Sequence, residues 1–241
     1  MEIDETLWYH EQGFFNNPFS IKPAAFHDEM FGSEEELRRI TNNIELGRVC
    51  LIIGEYGTGK TTFLKKAMNN FRGQKRIVYY SCNRREGVIE FDKLLKNRTW
   101  FNKLFGIKAK NMILLLDEMQ ELNPVECDVL VDYYKNSFFK SIILVTKDKR
   151  KIKLTPELKK LIDKNVFELR KINAQEAIQL VRKRLDDVDF LPSDVIKKIH
   201  QLNPNPRAIL ENCEDACRNA FEDGSPVVLE KHVKAIKQRK K

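Results

Sequence analysis

Residues 54–61 read Gly54-Glu55-Tyr56-Gly57-Thr58-Gly59-Lys60-Thr61, a match to G-x-x-x-x-G-K-[ST]. Glycines at this spacing let the backbone curl until successive N–H groups converge on one point, which suits phosphate oxygens. The helix that must follow, "TTFLKKAMNNF", adds the partial positive charge of its N-terminus. Lys60 has the reach to contact β- and γ-phosphates, and the Thr61 hydroxyl is an oxygen ligand suited to Mg²⁺. Nucleotide contacts are therefore expected from Gly54, Glu55, Tyr56, Gly57, Thr58, Gly59, Lys60, Thr61 and Thr62. The plain alternative, a glycine-rich turn without a ligand, is disfavoured by the apolar run before the loop and the helical pattern after it.

A second element must bring a carboxylate to the metal. In "NMILLLDEMQEL" five apolar residues lead into Asp117-Glu118. Asp117 is expected to hold Mg²⁺ through its water shell, and Glu118 to act as general base on the attacking water. An Asp-Glu pair also suits a solvated helix start. Its place at the end of a buried strand, downstream of the loop, favours the catalytic reading, and Glu118 in particular points to hydrolysis rather than binding alone. A guanine nucleotide would call for glycine where Gln120 stands and for aspartate where Lys149 stands in "TKDK", so ATP is the expected nucleotide.

The elements that position these groups follow from the pattern of the chain. "VCLII" (49–53), "IVYY" (77–80), "MILLL" (112–116), "IILV" (142–145) and a weaker "VFEL" (166–169) are apolar runs without period-two alternation. Such runs suit strands buried on both faces of a parallel sheet. Helix starts carry capping marks: Ser33 with Glu36, Asn123-Pro124 with Glu126, and Thr155-Pro156. From about 173 the strands stop, and "NAQEAIQLVRKRL", "PSDVIKKIHQL", "PRAILENCEDACRNAF" and "LEKHVKAIKQRKK" read as four helices. The expected organisation is an arm or linker over 1–32 packing near the nucleotide, an α/β domain over 33–171, and a helical domain with a basic tail over 172–241.

Composition narrows the class. The 241 residues are 42% hydrophobic, enough for a sizeable core. No apolar run approaches the roughly 18 residues of a membrane span, so no membrane role is expected. The start "MEIDETLWYH" lacks the order of a signal peptide. Five scattered cysteines without a zinc pattern read as reduced thiols packed in a core, which points to the cytoplasm. The net charge of +8 conceals an asymmetry: residues 1–50 hold 4 Lys/Arg against 10 Asp/Glu, and the rest of the chain is strongly basic. A basic body suits nucleic acid or simply a solvated surface.

With these residues in place, the chain resembles the AAA+ ATPases over nearly its whole length. The loop and "LLLDE" are shared by many ATPases. More telling are "NNPFSIKPAAF" (16–26) and "EEELRRITNNIELGRVCLIIGEYGTGKTT" (34–62), similar to the opening of the ExeA/TniB/MuB group, secretion and transposition helpers related to the origin-recognition initiators. "LNPNPRAILENCEDACRNAF" (202–221) resembles the lid segment that carries the sensor 2 arginine, here Arg207, and sensor 1 maps to Thr146. The resemblance implies a three-layer P-loop sandwich, a parallel five-stranded sheet in the order 5-1-4-3-2, and a small all-helical lid. It also implies catalytic roles for Lys60, Glu118, Thr146 and Arg207, a switch role for Asn83 against Glu118, and an adenine-side position for Phe19, Phe26 and Phe31, although aromatics in such an arm are more often plain core. Two departures stand out. Relatives place an arginine before the fifth strand that reaches a neighbour's site, where this chain has Lys159 and Lys160, leaving Arg150 as a substitute or the ring contact weak or absent. The initiators also carry a winged-helix domain after the lid, for which the sequence ending "KQRKK" leaves no room.

Two functions are then open. In one, the ATPase works on DNA in an initiator-like or transposition-helper-like way, gripping duplex phosphates through "RGQKR" (72–76), "NRREG" (83–87), "KDKRKIK" (147–153) and the tail. In the other it is a nucleotide-gated switch for an unknown protein partner, with slow hydrolysis and Trp8, Tyr9, Phe14 and Phe15 as an exposed docking arm. An ATP-dependent homo-oligomer fits either.

Overall fold

The computed structural model describes residues 7–21, 32–69, 71, 77–84, 87–95, 109–186 and 188–236. Within it the apolar runs do form strands: β1 (Val49–Ile53), β2 (Ile77–Ser81), β3 (Met112–Asp117), β4 (Phe139–Thr146) and β5 (Val166–Glu168). They pair in parallel in the order β2-β3-β4-β1-β5, the expected 5-1-4-3-2. Consecutive side chains of a strand point to opposite faces, and all but the last residue of β1 and β3 are buried. The sheet is therefore covered on both faces, which is the three-layer sandwich the unalternated runs anticipated. The two edge strands differ. β2 exposes Tyr79, and β5 is only three residues long.

The described helices are α1 (Trp8–Glu11), α2 (Glu34–Glu45), α3 (Lys60–Asn69), α4 (Phe91–Leu95), α5 (Pro124–Lys135), α6 (Pro156–Ile162), α7 (Ala174–Leu185), α8 (Ser193–Leu202), α9 (Pro206–Glu222) and α10 (Glu230–Lys234). α2 packs on β1 and β4, and α5 packs on β4. Of the expected caps, Asn123 holds: its Oδ1 accepts the Glu126 N–H at 2.9 Å, and Glu126 Oε2 accepts the Asn123 N–H at 2.9 Å. Glu126 is almost fully buried, and its other oxygen accepts the Ile89 N–H at 2.9 Å, so one capping carboxylate also ties down the segment before α4. Ser33 and Thr155 occupy cap positions without capping. Ser33 has ψ 30 instead of the extended backbone that aims a cap hydroxyl at the helix, and the Thr155 hydroxyl is buried without a hydrogen-bond partner among the described residues. An unforeseen box opens α7: Asn173 Oδ1 accepts from Glu176 N at 2.9 Å, and Glu176 Oε2 from Asn173 N at 2.8 Å.

The chain divides into two compact units. One holds Ser33–Tyr56 and Lys60–Leu169 and contains the sheet. The other gathers the described part of the N-terminal arm, Gly57–Gly59 and the helices from Arg170 onward. Its core unites Trp8 and Phe19 with Leu185, Ile196, Ile209 and Cys213. Trp8 stacks on Phe19 with ring centroids 5.8 Å apart, and Arg184 on α7 donates to the carbonyls of Pro18 and Ser20. The arm is thus core to this unit, with Tyr9 and Phe14 packed against it and only Phe15 of the four aromatics fully exposed. Phe19 is a core residue, while Phe26 and Phe31 lie outside the described residues.

All five cysteines are buried and free. Burial pushes the Cys50 thiol up to about 12 and Cys127 up to about 11, and raises Cys213 and Cys217 as well, so these thiols stay protonated core groups. No helix among the described residues is long and apolar enough to cross a membrane.

Candidate nucleotide site

β1 ends at Ile53, and the loop 54–59 leads into α3, whose first residue is Lys60. Gly57 and Gly59 take φ +83 and +86, the left-handed backbone that side chains disfavour, so both glycines are required by the shape of the loop. Gly54 N–H donates to Thr146 O at 3.1 Å, joining the loop's first residue to the end of β4. Lys60 folds back over the loop, its Nζ donating to the carbonyls of Gly54 at 2.6 Å and Glu55 at 2.9 Å. Burial lowers the Lys60 pKa, opposed by the charges of Glu118 and Asp117, so both carboxylates act on this ammonium. Thr61 is exposed in the first turn of α3, and Thr62 is half-buried beside it.

Asp117 closes β3. Its Oδ1 accepts the N–H of Glu118 at 2.9 Å and its Oδ2 accepts the Tyr79 hydroxyl at 3.0 Å. Tyr79 lies on β2, two residues before Ser81, the register partner of Asp117. Glu118 follows at φ +56, a left-handed conformation that costs a non-glycine residue about 1–3 kcal/mol and persists where the surroundings hold it. They do so here. Glu118 Oε2 accepts from Gln120 Nε2 and pairs with Lys147 Nζ at 3.3 Å. Asn83, expected to hold Glu118, is exposed in a 3-10 turn (Cys82–Arg84); Gln120 and Lys147 occupy the place foreseen for it.

Thr146 ends β4 with no exposed surface. Its hydroxyl donates to Gln120 Oε1 at 2.9 Å and accepts the Asp148 N–H at 3.2 Å. Its link to the acidic pair therefore runs through Gln120. Gln120, Lys147 and Tyr79 carried no catalytic expectation. Proximity to Glu118 and Thr146 in the chain was the available signal for the first two, and strand pairing alone reveals the third.

Arg207 stands in the first turn of α9, in the helical unit, capped by Asn205 whose Oδ1 accepts the Arg207 N–H at 3.1 Å. Its Nε donates to Glu211 at 3.1 Å. Gly57, which clusters with this unit, accepts the same Arg207 N–H at 3.4 Å. Among the described residues, three of the five cations in the basic segment 147–153 are ion-paired: Lys147 with Glu118, Lys149 with Glu168 and, inside the segment, Arg150 with Asp148. Arg150 is thus engaged locally, and Lys159 and Lys160 lie exposed on α6. The segment 72–76 and the tail from 237 lie outside the described residues, as do 85 and 86 of "NRREG".

The geometry agrees with a comparison of the sequence to known families. Residues 47–165 match the model of the AAA domain. Over this segment the chain is similar to the AAA domain family. The fold comparison extends the likeness through the helical end of the chain. The DNA-bound ORC1 protein of Aeropyrum pernix matches with TM-score 0.68 at 18% identity, over 91% of this chain and 68% of that one. Drosophila ORC bound to DNA matches with TM-score 0.67 at 14% identity, over 96% of this chain and 65% of that one. The RuvB Holliday junction branch migration motor of Thermotoga maritima matches with TM-score 0.60 at 17% identity, over 84% of this chain and 67% of that one. The chain spans about two thirds of the length of these structures, and the likeness is one of fold. No curated protein matches the sequence. The AAA+ fold and the resemblance to origin-recognition proteins are as the sequence led one to expect.

Proposed function

We propose that this chain binds ATP with Mg²⁺ and hydrolyses it, in a process that acts on DNA. The observation that carries the reading is the convergence of three strand ends: Lys60 Nζ closes the loop after β1 onto the Gly54 carbonyl, the Gly54 N–H is bonded to Thr146 at the end of β4, and Thr146 reaches Glu118, next after β3, through Gln120. A phosphate tail placed in the loop would draw Lys60 from the Gly54 and Glu55 carbonyls onto its β- and γ-oxygens. The oxygen donors suit Mg²⁺. Thr61 offers an exposed hydroxyl, and Asp117 spends one hydrogen bond on each carboxylate oxygen, leaving lone pairs for a metal's water shell. No cluster of three acidic, His or Cys side chains stands ready to hold a metal among the described residues, which fits an ion held mainly by phosphates and water. Bound there, Mg²⁺ would neutralise charge building on the phosphates. Glu118 takes a proton from water as its oxygen attacks the γ-phosphorus and the bond to ADP breaks. Arg207 is the proposed sensor from the helical unit.

The DNA role is supported by the DNA-bound initiators among the similar folds and by the basic charge beyond residue 50. A second reading, a nucleotide-gated switch for a protein partner, is favoured by the ion pairs that Lys147, Lys149 and Arg150 make with carboxylates of this chain, since these are three of the cations expected to meet phosphates. Either version fits a cytoplasmic protein with reduced thiols, and an ATP-dependent homo-oligomer without a strong arginine finger. The deciding experiment is ATP hydrolysis with and without duplex DNA at two salt concentrations, with Glu118→Gln as the blank. Stimulation by DNA that salt abolishes supports the DNA reading. Hydrolysis indifferent to DNA supports the switch, and a wild type no faster than Glu118→Gln overturns the ATPase.

A further inference from the structure

In the sequence Gln120 counts only against a guanine nucleotide. In the structure it stands between Thr146, which ends β4, and Glu118, which follows the last residue of β3. The Thr146 hydroxyl donates to its Oε1 at 2.9 Å, and its Nε2 donates to Oε2 of Glu118. The chain has a direction. Thr146 Oγ1 also accepts the Asp148 N–H at 3.2 Å, so its single proton is left for an acceptor, and the shorter of its two acceptor contacts is Gln120. Thr146 is fully buried, which fixes this end of the chain to β4. A primary amide accepts at one atom and donates at the next; a carboxylate cannot donate and an alkyl side chain can do neither. The far end is anchored too, since Lys147 Nζ lies 3.3 Å from the same Glu118 oxygen and the Glu118 side chain is only 16% exposed.

We infer that Gln120 is a positioning residue for Glu118, linking its carboxylate through the amide to the buried Thr146 hydroxyl, with Lys147 holding the same oxygen. The inference rests on Glu118 being the base proposed above. The amide places a donor on Oε2 of Glu118, beside the Lys147 ammonium, and so sets the direction of the carboxylate. Thr146 then acts on the site through Gln120.

The test uses the full chain and two readouts, the kcat for ATP hydrolysis and the affinity for a fluorescent ATP analogue. Gln120→Ala and Gln120→Glu, which both lose the donor, are expected to lower kcat about 10- to 100-fold with analogue affinity changed by less than about twofold. Gln120→His keeps a donor and an acceptor on one ring and recovers most of the lost rate. On a Glu118→Gln background, Gln120→Ala causes no further loss. Wild-type kcat in Gln120→Ala, loss of affinity together with rate, or further slowing of the double variant overturns the inference while leaving the ATPase intact. A wild type no faster than Glu118→Gln overturns both. Should Gln120→Ala fail to fold, the Glu and His variants carry the same comparison.

Discussion

Lys147 Nζ lies 3.3 Å from Oε2 of Glu118, so a cation expected on DNA is engaged at the acidic pair. The lysine side chain is 40% exposed and solvent screens the pair, which limits its strength to about 1 kcal/mol or less. Lys147→Met is therefore expected to slow hydrolysis by about fivefold or less, with little change in duplex affinity. Filter binding and steady-state kinetics on the same preparation check this, and a large loss of DNA binding with unchanged kcat would return Lys147 to the DNA surface.

Asp117 and Thr61 are the proposed metal residues. Asp117→Asn keeps the size and removes the charge, and it also alters the acceptors for Tyr79 and the Glu118 N–H. Its hydrolysis rate should fall by at least about 100-fold, with a raised Mg²⁺ requirement. Titrating Mg²⁺ against rate tests the assignment, as does EDTA, which should abolish turnover in the wild type. Unchanged Mg²⁺ dependence in both Asp117→Asn and Thr61→Ala would refute it.

The pH response follows from Lys60. Burial holds its pKa below the ordinary 10.5, so in the folded protein it loses its proton before the unfolded chain does. Between the two values the unfolded chain binds more protons, and this group's contribution to stability rises with pH; below the folded value its cost is constant. ATP binding has the opposite need, since only the ammonium attracts phosphate. Affinity should weaken as pH climbs through the folded value, with an onset below 10.5. Analogue binding from about pH 7 to about pH 10 measures it, and Lys60→Met should bind weakly with that alkaline limb gone.

Gly57 admits no side chain. At φ +83 an added Cβ would collide with Asn205 Oδ1 and come within 3.0 Å of Arg207 Cβ. Gly57→Ala should cost about 1–3 kcal/mol of stability and weaken ATP binding. Gly59 has φ +86 but nothing within 4 Å of its would-be Cβ, so Gly59→Ala carries only the backbone part. Urea unfolding of the pair separates strain from collision, and equal losses would show that the collision relaxes away.

Phe19 is fully buried in the helical unit, stacked on Trp8. Phe19→Ala should destabilise by about 3–5 kcal/mol, the range for emptying a core aromatic site. A docking arm would give a loss near zero. Urea denaturation with Trp8→Phe as the fluorescence control distinguishes the two.

The strands, the glycine loop between β1 and α3 and the place of Asp117 at the end of β3 are legible in the sequence because each is a local signal. Buried parallel strands show as unbroken apolar runs, and the loop is eight consecutive residues whose glycines have a conformational reason. The order of the strands came from resemblance, since nothing in the runs themselves says which neighbours which. Tertiary structure alone chose the partners of polar side chains. Gln120 meets Thr146 across 26 residues, and Tyr79 meets Asp117 across 38, because the parallel sheet brings those strand ends together. Ser33 had the right residue type for a cap but the wrong ψ, a backbone angle that sequence does not display. Trp8 and Phe19 could have faced solvent or core. Their burial depends on an apolar surface built by helices some 160 residues further along the chain, and only the folded helical unit supplies it.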